Sequence, residues 1–134
     1  MPTLLIFSQS EPFRSYVRTL LPEGVQAVDA QDDAACLEAL RQHPDAVVVL
    51  DVHSGKAACG CDSLAFLMKM CEAGFDQTRA ILLTWFDRRF IFQHTRQNSL
   101  SNPRLLPRYN ETLYFFRRLP VSRPEFQTLL QSLT

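Results

Sequence analysis

The run AVVVLDV, Ala46 to Val52, constrains this chain most. Six of its seven residues are apolar, with no alternation to leave a polar face, so it reads as a strand covered on both sides. That is the signature of a central strand in a parallel sheet flanked by helices. Its one charged residue, Asp51, stands at the end of the run.

The rest of the chain alternates strand and helix patterns around it. Leu4–Phe7 (LLIF) reads as a buried strand. Ser10 then caps a helix carrying Pro12 in its first turn and Phe13, Val17, Leu20 and Leu21 as its apolar stripe, with Pro22 and Gly24 ending it. Val25–Val28 (VQAV) is expected as a second short strand. Asp32 or Asp33 caps a helix with Cys36, Leu37 and Leu40 inward, stopped by His43-Pro44. Asp62 or Ser63 is expected to cap a third helix with Leu64, Leu67, Met68 and Cys71 inward and Gly74 at its C-cap. Ala80–Trp85 (AILLTW) and Thr112–Phe116 (TLYFF) read as the fourth and fifth strands. Ser122-Arg123-Pro124-Glu125 is a capping box opening a last helix with Phe126, Leu129, Leu130 and Leu133 inward. Five such units predict a three-layer α/β/α sandwich over a five-stranded parallel sheet, flavodoxin-like and doubly wound, with function at the C-terminal ends of the strands.

At 134 residues the chain is expected to be one domain, 1–134. With 46% hydrophobic and 21% charged residues it is globular rather than disordered. Its apolar runs are too short to cross a bilayer and its first residues lack a signal-peptide pattern, so a cytoplasmic location with reduced cysteines is expected. Charge is unevenly spread: residues 1–78 hold 11 acidic and 5 basic side chains, net −6, and residues 79–134 hold 9 arginines and 3 acids, net +6. The imbalance favours an oriented encounter with a charged partner.

In order and placement of parts the chain resembles the receiver domain of bacterial two-component response regulators, the CheY-like fold, over nearly its whole length. PDAVVVLDVHSG resembles the third strand that ends in the phosphoacceptor aspartate, with Asp51 at that position. ILLTW resembles the fourth strand, with Thr84 as its switch hydroxyl. FFRRLPVSRPEF resembles the fifth strand and its Lys-Pro turn, with Phe116 as the aromatic switch and Pro120 as the proline.

The same resemblance exposes departures. Ser8 and Gln9 stand where the family has two acids that hold Mg²⁺ with the acceptor. Without their charge no Mg²⁺ or other cofactor is expected, because Mg²⁺ gives up water reluctantly. Leu119 stands at the lysine position, and the adjacent Arg118 could replace the lysine only through a bulge, since neighbours on a strand face opposite ways. Trp85 follows Thr84 where a small residue is usual and is expected to cover Asp51. Phosphoryl transfer rests on positioning and electrostatics, so these losses imply a degenerate pseudo-receiver, non-enzymatic, acting through protein contacts. Asp51 and Thr84 then read as a vestigial acceptor and switch bonded to their neighbours. The alternative is a working receiver phosphorylated on Asp51 with Arg118 in the lysine's role.

Two loops are longer than the resemblance leads one to expect, near 53–61 and 94–111. Residues 86–109, which run into the second of these, carry Arg88, Arg89, Arg96, Arg104 and Arg108 among Phe86, Phe90, Phe92 and Tyr109. That mixture suits docking of an acidic protein surface, a second copy in a homodimer included. Nucleic-acid binding over 86–109 is the alternative, disfavoured by zero net charge. His53, Cys59, Cys61 and Asp62 share metal-ligand chemistry with Asp51, but Cys-x-Cys without a second pair is a weak motif and no metal is expected there.

Overall fold

A computed structural model of the chain describes residues 3–51, 61–85 and 113–133; of these, residues 61–65 are described by backbone alone. The elements run β1 (Leu4–Phe7), α1 (Glu11–Leu20), β2 (Ala27–Ala30), α2 (Asp33–Gln42), β3 (Val47–Asp51), α3 (Cys61–Glu72), β4 (Ala80–Thr84), β5 (Tyr114–Arg118) and α4 (Arg123–Ser132). All strand pairings are parallel, in the order β2-β1-β3-β4-β5. The flavodoxin-like sandwich expected from the sequence is the fold observed.

Why the sheet is central follows from burial. Every residue of β1, β3 and β4 is buried. One face of the sheet packs Leu5, Phe7, Val48, Leu50 and Leu82 against Cys36 and Leu40 of α2 and Phe66, Leu67 and Met70 of α3. The other packs Leu4, Ile6, Val47, Val49, Ile81 and Leu83 against Val17 and Leu20 of α1 and Phe126, Leu129 and Leu130 of α4. Each such side chain contributes about 1.5–3 kcal/mol on leaving water. Phe7 and Phe66 stack with ring centroids 4.6 Å apart, tying β1 to α3.

The helix starts follow side-chain chemistry. The Phe13 amide donates to the Ser10 hydroxyl, that of Ala35 to the Asp32 carboxyl, and that of Glu125 to the Ser122 hydroxyl, which supplies acceptors for otherwise unmet first-turn donors. Gly24 and Gly74 take positive φ, 84° and 95°, at the turns after α1 and α3, where a side chain would be strained.

Four boundaries differ from the sequence reading. The second strand is Ala27–Ala30, not Val25–Val28, and the fifth is Tyr114–Arg118, not Thr112–Phe116. Both stand at the ends of the strand order and, among the described residues, pair on one side only, so Asp29, Arg117 and Arg118 fit where an interior strand would exclude them. The third helix begins at Cys61, ahead of the caps expected at Asp62 or Ser63, and buries Phe66 and Met70 beside Leu67 and Cys71 while Met68 is only half-buried. The fourth strand stops at Thr84, leaving Trp85 beyond it.

Candidate functional site

In a sheet of this order the connections leave β1 in opposite directions, which opens a crevice at the C-terminal ends of β1 and β3. Ser8 follows β1 directly and Asp51 ends β3, so both face that crevice. Alternation along the strands sets their side: Leu4 and Ile6 and, on β3, Val47 and Val49 pack on the α1/α4 face, and Ser8 and Asp51 continue those rows.

There the Ser8 hydroxyl donates to Asp51 Oδ2 at 3.0 Å and accepts the Ser10 amide at 2.9 Å. Ser8 is wholly buried and Asp51 is 5% exposed. The Ser8 hydroxyl therefore spends its one donor on Asp51 and an acceptor lone pair on closing the turn into α1.

A third group completes the arrangement. Arg14, one turn into α1 and on the side of Val17, is buried, and its Nη1 donates to the Ser8 carbonyl at 2.7 Å. Its Nε lies 3.7 Å from Asp29 Oδ2 on β2, and Arg18 reaches Asp29 Oδ1 at 2.9 Å. A continuous polar chain thus runs Asp29, Arg14, Ser8, Asp51 from the sheet edge to the crevice. No motif in the sequence marks Arg14. Its signal was the three-residue spacing to Val17, which puts a guanidinium on the inward stripe of α1.

The remaining site positions fall as follows. Gln9 is exposed on the turn after Ser8. Thr84 is buried at the end of β4, and its carbonyl accepts the Leu119 amide at 2.7 Å. Phe116 is buried on the α2/α3 face. Leu119 is buried on the opposite face among Ile81, Leu83 and Phe126, the side that Ser8 and Asp51 share. Arg118 is exposed and pairs in unbroken register with Thr84, so no bulge turns it toward Asp51. Trp85 is 58% exposed, which leaves less than half of its surface to bear on the crevice. Arg88, Arg89, Arg96, Arg104 and Arg108, the two long loops, His53 and Cys59 lie outside the described residues, as do the side chains of Cys61 and Asp62.

Among the described residues the donor set does not suit Mg²⁺. It offers one carboxyl whose Oδ2 already accepts from Ser8, a hydroxyl committed twice, and a neutral exposed amide. Among the described residues no three His, Cys, Asp or Glu side chains come together closely enough to hold a metal ion. Nor, among them, is any helix long and apolar enough to cross a membrane.

The backbone settles the fold. It superposes on chemotaxis protein CheY4 of Vibrio cholerae with a TM-score of 0.68 at 16% identity, covering 100% of this chain and 99% of that one. The fold is that of a CheY-like receiver domain. A signal receiver domain of an HD domain-containing protein from Pseudomonas fluorescens Pf-5 gives 0.68 at 19% identity, covering 98% of this chain and 85% of that one. The receiver domain of NtrX from Brucella abortus gives 0.66 at 16% identity, with 97% and 96% covered. No family model and no curated protein sequence matches the chain. At these identities the likeness is one of fold.

Proposed function

We propose that the chain is a pseudo-receiver, a non-enzymatic signalling or regulatory module that works through protein contacts and not through Mg²⁺-dependent phosphorylation of Asp51. The observation that supports this most is the Ser8 hydroxyl donating its one proton to Asp51 while it accepts from the Ser10 amide. An acceptor carboxyl must present a bare oxygen to phosphorus and have cations nearby to take up the developing charge. Asp51 has a hydroxyl at one oxygen and Leu119 on its side of the sheet.

The partner is a protein with an acidic surface. The exposed Arg118 at the end of β5 and the exposed Arg123 at the start of α4 favour it, and arginine offers planar, bidentate pairing to carboxylates. A second copy of the chain, through its acidic residues 1–78, meets that description.

Incubation with acetyl phosphate and Mg²⁺, followed by intact-mass measurement, tests the reading. No phosphoryl adduct is expected. A stable adduct that disappears in Asp51→Asn would overturn it in favour of a working receiver.

A further inference from the structure

Strand β2 stands at one end of the strand order and, among the described residues, pairs with β1 alone. Backbone alternation fixes which of its groups that pairing uses. The Leu4 amide donates to the Gln26 carbonyl at 2.8 Å, and the Ser8 amide donates to the Ala30 carbonyl at 3.1 Å. Neighbouring residues of a strand turn their amides and carbonyls to opposite flanks, so Val28 and Ala30 face β1 while Ala27 and Asp29 present theirs to the outer edge.

That edge is complementary to itself. When two copies of β2 lie antiparallel about a two-fold axis at Val28, Ala27 of each copy stands opposite Asp29 of the other, and each such pair exchanges an amide and a carbonyl in both directions. The two half-buried Val28 side chains then meet as a cross-strand pair. An edge of this kind is a template for association unless something covers it.

Arg18 lies where it does so. From the last turn of α1 its Nη2 donates to Asp29 Oδ1 at 2.9 Å, and the same nitrogen is 3.5 Å from the Ala27 carbonyl oxygen. That oxygen is the outward acceptor that the Asp29 amide of another copy has to reach. Arg14 Nε, 3.7 Å from Asp29 Oδ2, braces the carboxyl from its other oxygen and so keeps the anchor of Arg18 in place.

We propose that Arg18 is an edge guard: its guanidinium, anchored on Asp29 and laid over the Ala27 carbonyl, keeps β2 from pairing with β2 of a second copy. The guarded edge is separate from the Arg118 and Arg123 surface and does not depend on what the Asp51 crevice does.

Sedimentation velocity of the 134-residue chain and of Arg18→Ala, from micromolar to millimolar protein in high salt, tests this. Salt screens contacts between charged surfaces but leaves backbone pairing in place. Arg18→Ala is expected to self-associate roughly tenfold or more tightly than the parent. Its Ala27 and Asp29 amides are expected to exchange with solvent more slowly as its concentration rises, because association gives them acceptors. Adding Asp29→Pro to Arg18→Ala removes an outward amide and is expected to restore the parent's sedimentation. Equal sedimentation of Arg18→Ala and the parent, association that leaves exchange at Ala27 and Asp29 unchanged, or the same slowing in the parent itself overturns the proposal.

Discussion

Ser8 Oγ and Asp51 Oδ2 meet at 3.0 Å across the β1/β3 crevice, where Ser8 is wholly buried. This contact joins the ends of two adjacent strands and ties the turn into α1 through the Ser10 amide. Ser8→Ala leaves the Asp51 oxygen without that donor and the Ser10 amide without that acceptor. A loss of about 2 kcal/mol of stability is expected, measured as a lower urea midpoint with an unchanged slope.

The same geometry predicts what a second carboxyl would do. Ser8→Asp places it beside Asp51 within hydrogen-bond distance, where two negative groups repel unless a cation lies between them. The variant is expected to melt below the parent and to regain on the order of 1 kcal/mol when millimolar Mg²⁺ is added, because a ligand that binds only the folded form stabilises it. The parent should show no comparable shift in the same melts.

Arg14 makes a separate prediction, since it stands between Asp29 and the Ser8 carbonyl. Arg14→Met keeps the apolar stem but strands a buried carbonyl, at a cost of about 2 kcal/mol. Arg14→Lys keeps the charge yet lacks the fork that reaches both partners, so its urea midpoint is expected between the two.

How far the sequence reveals this protein depends on where a residue sits in the sheet. The interior strands were legible because Val47–Leu50 and Ala80–Leu83 must be apolar on both faces. The edges were not, because Asp29 and Arg117 lie on strands that, among the described residues, pair on one side only, and an apolar run does not mark their limits. That Ser8, Gln9 and Leu119 stand where the resemblance implies two acids and a lysine could be read by position. That Ser8 bonds Asp51 could not, because it depends on two strand ends 43 residues apart being adjacent in register. Arg14 was hidden for a similar reason: a charged residue in a helix reads as solvated until its partners, Asp29 and the carbonyl of the buried Ser8, are brought beside it.

Tyr16 supports the segment after β5. Its hydroxyl donates to the Val121 carbonyl at 3.0 Å and accepts the Val121 amide at 3.1 Å, so one oxygen satisfies both backbone groups of a buried residue. Tyr16→Phe removes both bonds with little change of volume. A loss of about 1–2 kcal/mol is expected, together with faster hydrogen exchange at the Val121 amide.

Cys36 gives the pH prediction. Burial between α2 and the sheet, reinforced by the nearby Asp33 charge, pushes its thiol from an ordinary 9.0 up to about 12. Only the thiolate reacts, so Cys36 in the folded chain is expected to resist iodoacetamide at pH 8 and to react once urea unfolds it. The stability linked to this group has a definite sign. The folded thiol holds its proton more tightly than the unfolded one, so its contribution is complete below pH 9 and is lost as pH rises toward 12. Cys36→Ala costs stability through the lost sulfur packing at every pH, but that cost is expected to shrink between pH 9 and 12, because the alanine variant has no proton there to lose. Parallel urea titrations of the two proteins across that window read the difference directly, and a gap that stayed constant would show that Cys36 does not stay protonated in the fold.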